Sequence, residues 1–126
     1  MIKKDRAFAS FAVKDLAAAK DFYGNTLGLD VSEDEMGILN LTFSDQTKVI
    51  VYPKDDHAPA NFTVLNLPVD NLDTTVDDLT GKGVRFETYD FGEIKTDEKG
   101  IMRGGPGPAI AWFTDPAGNI VSVLEE

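Results

Sequence analysis

Apolar positions along the chain alternate or recur at helical spacing in two similar runs. Residues 7–13 (AFASFAV) are apolar or small throughout and read as a short strand. Asp15 follows as a helix cap, because its side-chain oxygen can accept from the open amides of a first turn. Leu16, Ala19, Phe22, Tyr23 and Leu27 then recur at helical spacing, and Gly28 ends the helix. Residues 29–33, 38–43 and 47–52 read as three strands, separated by Asp34-Glu35-Met36-Gly37 and by Ser44-Asp45-Gln46. The stretch 53–60 (PKDDHAPA) is polar, holds two prolines and reads as a linker.

Beyond it the order restarts. Residues 61–67 predict a strand, Asn71 a cap, and Leu72, Val76 and Leu79 a helix ended by Gly83. Residues 84–89 read as a strand. Residues 109–114 and 119–124 read as a hairpin around Asp115-Pro116-Ala117-Gly118. There Pro116 suits the second place of a type I turn, and Gly118 can take the left-handed exit. Val13-Lys14-Asp15-Leu16 overlays Val69-Asp70-Asn71-Leu72 at an offset of 56 residues. A repeat of that size predicts two similar modules, about 6–53 and 61–126, joined by the linker within one domain spanning 1–126. Each module alone is a small sheet with one helix, so one sheet face takes the helix and the other is free.

Composition narrows the function classes. The 126 residues carry a formal charge of −10, which repels phosphate backbones and anionic lipid, so neither nucleic acid nor membrane is expected as a partner. No apolar run approaches the ~20 residues that cross a bilayer. The charged N-terminus does not look like a secretory signal, and a cytoplasmic location is the default expectation. With no cysteine there is no disulfide, thiol nucleophile or thiolate metal site.

Three local patterns, in order, resemble the vicinal oxygen chelate superfamily of glyoxalases, bleomycin-resistance proteins and extradiol dioxygenases. They are Val13-Lys14-Asp15-Leu16 with Phe22-Tyr23 and Leu27-Gly28-Leu29, the restart at residues 69–72, and Asp115-Pro116-Ala117-Gly118-Asn119 preceded by Trp112-Phe113. The resemblance implies an α+β fold: two βαβββ modules forming a curved mixed sheet with a cavity, helices on the outside. It also implies a divalent metal held by four inward side chains, usually His and Glu. Here those places carry other chemistry. Phe8 stands seven residues before Asp15, Val64 stands at the matching place before Asn71, and Ser122 stands where the last strand usually has Glu. Residues 47–52 (TKVIVY) offer no His, Asp or Glu for the fourth. A hard cation needs carboxylate or imidazole ligands to offset its dehydration, so no metal and no other cofactor are expected.

The remaining candidates are weighed on that background. His57, the lone histidine, sits beside Asp55 and Asp56 in the linker and reads as solvated rather than as a metal or acid–base site. Residues 102–108 (MRGGPGP) precede a strand, not a helix, and read as a mobile loop that could lid a cavity rather than a phosphate loop. Alternation puts Phe8, Ser10 and Ala12 on one face, and Phe62, Val64 and Asn66 on the matching face of module two. With Ser122 and the adjacent pair Trp112 and Phe113, whose parity stays open, these are the expected pocket residues, and no catalytic residue is assigned. Asp30, Glu33, Asp34, Glu35, Asp45, Asp55 and Asp56 could rim a site for a cationic ligand. The resulting expectation is a homodimeric, metal-independent binder of a cationic or aromatic small molecule, similar to the bleomycin-resistance branch. Its alternatives are a metal-dependent lyase, isomerase or dioxygenase, with Glu87, Glu93 or Glu125 meeting His57, and an interaction module without a ligand.

Overall fold

Both helices start on the caps that the spacing predicts. Asp15 Oδ1 accepts from Ala18 N at 3.1 Å, and Asn71 Oδ1 accepts from Thr74 N at 3.1 Å, each cap residue in an extended backbone conformation. The computed structural model describes residues 1–44 and 47–126, divided into two units, Met1–Pro59 and Ala60–Glu126.

In the first unit β1 (Ala9–Val13) leads into α1 (Leu16–Asp21), followed by β2 (Asp30–Glu33), β3 (Leu39–Thr42) and β4 (Lys48–Pro53). The sheet order is β1-β4-β3-β2, with β1 parallel to β4 and the other pairs antiparallel. The helical spacing read through residue 27 continues past α1 as a wider π-type turn over Phe22–Thr26, where Leu27 N donates to Phe22 O at 2.9 Å. That turn holds Tyr23 fully buried, edge-on to Phe11. Phe11, Val13, Leu39, Leu41 and Val51 share this buried face with Ala19.

The second unit repeats the plan. β5 (Thr63–Val69) leads into α2 (Leu72–Gly81), and β8 (Ile101–Met102), β9 (Ile110–Thr114) and β10 (Ile120–Glu125) complete a sheet of order β5-β10-β9-β8. A separate hairpin, β6 (Asp90–Phe91) and β7 (Ile94–Lys95), lies between α2 and β8. Leu72, Val76 and Leu79 from α2 are buried, as are Leu65, Ala111, Phe113, Val121 and Val123 from the sheet. The fold is therefore α+β, built of two βαβββ modules.

One expected strand is corrected. Residues 84–89 make only a single antiparallel bridge, Phe86 to Phe113, and Glu87 N donates to Trp112 O at 2.8 Å. The chain then leaves the sheet, forms the β6–β7 hairpin, and returns as β8 beside the other end of β9. The edge strand of module two is thus split by an excursion over residues 87–100. Gly100 makes the return possible: at φ +91°, a Cβ there would lie 3.0 Å from both Glu87 O and Phe86 Cβ.

Candidate functional site

Strand pairing sets the free faces of the two sheets. In module one Ser10 pairs with Ile50 and Ile50 with Asn40, placing the three side by side across β1, β4 and β3. In module two the same places hold Asn66, Ser122 and Trp112. Ser122 is fully buried, and its hydroxyl donates to Asn66 Oδ1 at 2.5 Å. Val64 falls at a register shift between β5 and β10, half-buried, while Phe8 and Phe62 are 53% and 65% exposed.

The parity of Trp112 and Phe113 follows from the same register. Trp112 pairs with Ser122 on the free face, whereas Phe113 pairs with Val121, is fully buried and packs edge-on against Phe86 at 5.4 Å. Phe113 therefore belongs to the helix-side core and does not share a face with the other expected pocket residues. Both parities in β9 are apolar, and only the pairing partner separates them.

Trp112 is one wall of a cleft of about 350 Å³ in the second unit. Met102, Ile110 and Leu124 join it from three strands, and Ile94 comes from the β6–β7 hairpin. Residues 105–108 (GPGP) line the remaining side, so the loop read as a lid borders a real concavity. Tyr89 stacks edge-on against Trp112 at 5.5 Å and Phe91 against Tyr89 at 5.7 Å, which steadies the indole. Burial, helped by the charge of Glu87, pushes the Tyr89 phenol above its ordinary 10.0, so it stays neutral. Ile110 and Leu124 share the parity of Trp112 and Ser122, a signal already present in the alternation. Ile94 carried no such signal, because the hairpin that bears it was not expected. A wider groove of about 810 Å³ runs along α1 and β2, but Lys20, Asp21, Asp30 and Glu33 line it.

The donors for a resident metal do not fit. The pairing of Ser10 with Ile50 mirrors that of Asn66 with Ser122, so Ile50 stands at the place left open in residues 47–52. Phe8, Ile50, Val64 and Ser122 offer one neutral hydroxyl among them, and it is already spent on Asn66. Among the described residues no three His, Asp or Glu side chains group to hold a metal ion. Glu125 Oε2 accepts from Leu72 N at the start of α2, and Asp56 pairs with Lys54 at 2.5 Å. His57 is half-buried rather than fully solvated, and its Nε2 has no partner among the described residues. The acidic rim is partly engaged: Glu33 meets Lys20 at 3.6 Å, and Asp34 accepts from Met36 N and Ile38 N. Asp45 lies outside the described residues.

Comparison with known proteins gives consistent answers. A protein from Sphaerobacter thermophilus DSM 20745, described as a member of the glyoxalase/bleomycin resistance protein/dioxygenase superfamily, is 26% identical; the match covers 95% of this chain and 97% of that one, with a TM-score of 0.72. A glyoxalase/bleomycin resistance protein from Streptomyces sp. CB03234 is 25% identical over 94% and 99% of the two chains, with a TM-score of 0.62. TnmS3, described as an antibiotic binding protein from the same organism, shares the fold at 24% identity, 94% coverage of each chain and a TM-score of 0.68. No protein of curated function matches the sequence. Residues 7–123 match the family description directly, and the chain belongs to the Glyoxalase/Bleomycin resistance protein/Dioxygenase superfamily.

Proposed function

We propose that this protein holds a small, largely apolar or aromatic molecule in the β8–β9–β10 cleft, without a metal ion and without transforming it. The carrying observation is the cleft: an indole, four aliphatic or thioether side chains and a glycine-proline loop around about 350 Å³. Small-molecule sites are concave and mostly apolar, commonly about 300–1,000 Å³. An apolar concavity removes a ring from water and grips it by dispersion, but it supplies no acid, base or nucleophile. The replaced ligand places support the metal-free part of the reading. TnmS3, described as antibiotic binding, shares the fold and fits the same picture.

Trp112 is the single tryptophan of the chain, so fluorescence excited selectively in the indole, away from the tyrosine absorption, reports on this cleft. Titration with N-phenyl-1-naphthylamine, a neutral aromatic probe, is expected to change that fluorescence saturably. Gly105 is not in the left-handed backbone region, and a Cβ there would stand 3.1 Å from Met102 Cε, a flexible tip. Gly105→Val should therefore fill the cleft and weaken the probe about tenfold or more, with an unchanged melting temperature. Probe binding indifferent to Gly105→Val would remove the cleft from the proposal. Stoichiometric Zn²⁺, Ni²⁺, Mn²⁺ or Fe²⁺ surviving dialysis would overturn its metal-free part.

A further inference from the structure

A second concavity, in the first unit, has the opposite chemistry. Lys3 and Arg6, at a single 3₁₀ turn before β1, line a groove of about 560 Å³ with Lys48 at the start of β4. Thr42 at the end of β3, with Ser44 and Thr47 from the β3–β4 connection, adds three hydroxyls. Three cations around one groove are unexpected in a chain of formal charge −10. Lys20, Lys54, Lys82, Lys99 and Arg103 each have a carboxylate within salt-bridge distance. Lys3, Arg6 and Lys48 have none among the described residues.

Lys48 is instead held by a ring. Its Nζ lies 4.9 Å from the centroid of Phe8, on the ring face. A cation–π contact orients an ammonium group without neutralising it, so the charge remains available to an incoming anion. Thr42 pairs directly with Lys48 across β3 and β4, which sets a hydroxyl donor beside that charge. Phe8 is 53% exposed and offers an apolar surface within the same groove. We infer that this groove is an anion site for a small molecule that joins a carboxylate or phosphate head to an aromatic ring. Lys3, Arg6 and Lys48 meet the head, the three hydroxyls donate to its oxygens, and Phe8 both positions Lys48 and packs against the ring. It is independent of the apolar cleft, which belongs to the other unit.

Amide chemical shifts of the full-length, isotopically labelled protein test it. Phenyl phosphate and benzoate are titrated separately at low salt, with inorganic phosphate and benzylammonium as comparisons. Residues 3–8 and 42–48 should shift saturably with at least one aromatic anion, and whichever binds tighter identifies the head group. Inorganic phosphate should bind more weakly, and benzylammonium should leave these amides unmoved. Because the groove is exposed, Lys48→Gln should weaken the preferred anion about fivefold, the scale of one surface charge contact. Phe8→Leu keeps the apolar bulk but releases Lys48 and should weaken it similarly, while the double variant should be little worse than either single one. Salt near 0.5 M should reverse most of the shifts. These side chains are exposed, so unchanged melting curves verify that each variant is folded. The inference fails if neither aromatic anion saturates by about 20 mM. It fails equally if Lys48→Gln binds like the wild type or if benzylammonium occupies the same amides as tightly.

Discussion

Three aspartates close three turns with one piece of chemistry. Asp34, Asp97 and Asp115 each open an Asp-x-x-Gly sequence, and each Oδ1 accepts from the backbone N–H two and four residues on. Gly37, Gly100 and Gly118 end these turns at φ +76°, +91° and +88°. The motif works because the carboxylate stands in for a carbonyl while glycine takes the left-handed exit. The bonds of all three turns fall within four residues, and the first and last are legible in the sequence because each stands between two strand-like runs. Burial, which is not local, sets their worth. Asp115 is 4% exposed, and its other oxygen accepts from Asn119 Nδ2 at 3.0 Å, with Asn119 2% exposed. Asp115→Ala removes the shared acceptor of that amide and of two backbone N–H groups in a largely buried turn and should cost about 2–3 kcal/mol in urea unfolding. Asp34→Ala, in a half-buried turn, should cost less than half of that.

At the scale of elements, the split edge strand of module two shapes the cleft. The excursion over residues 87–100 brings Tyr89 and Ile94 to the β9 face, and its return as β8 aims residues 103–108 along the cleft. Arg103, where that loop begins, is tethered to α2 and to the preceding turn. Its guanidinium lies 2.7 Å from Asp73 Oδ1 and 3.5 Å from Asp97 Oδ2, and Lys99 lies 3.2 Å from Asp73 and 2.9 Å from Asp77. Hydrogen bonds from Arg103 and Lys99 hold the Asp73 carboxyl below its ordinary 3.8. At Asp97 burial pushes the other way, but N–H donors from Ile101 and Lys99, with Arg103, outweigh it and leave the carboxyl below 3.8. Both depressions favour the tethered, ionised state, so the tether is complete above the ordinary value and is lost as pH falls through the lower folded values. Hydrogen exchange at residues 103–107, taken relative to the intrinsic rate at each pH, is therefore expected to quicken as pH falls through values below 3.8. Arg103→Gln should reproduce this at neutral pH, by about two- to fivefold for exposed pairs. Exchange unchanged in that variant would show that the loop is set by its own prolines. None of this tether is visible in the sequence, because Asp73 and Arg103 stand 30 residues apart.

Over the whole molecule, two signals remain outside either module's core. Phe8, Phe62, Phe91 and Met36 are 53%, 65%, 60% and 77% exposed. The homodimer expected from the family resemblance would cover part of this apolar surface. Sedimentation velocity at micromolar concentration should then give a single dimeric species, and a monomer persisting at about 100 µM would refute it. The other signal is charge. A net −10 describes the average surface, while Lys3, Arg6 and Lys48 gather locally against it. No helix among the described residues is long and apolar enough to cross a membrane.

The sequence by itself determined the two-module plan, both helix caps, two of the three aspartate turns and the loss of metal donors at Phe8, Val64 and Ser122. The caps and turns depend on residue type at a fixed short spacing, where a bond spans only two to four residues. The two-module plan rests on the repeat at an offset of 56, and the ligand places on the family resemblance. Tertiary structure alone decided that Ile50 completes the donor-free set, that Trp112 and not Phe113 lines the cleft, and that residues 87–100 leave the sheet. The reason is physical. In a strand whose two faces are both apolar, alternation carries no direction, and only the neighbouring strand and helix determine which face is covered. A cleft made from Ile94, Met102, Trp112 and Leu124 exists only once four separate segments have been brought together.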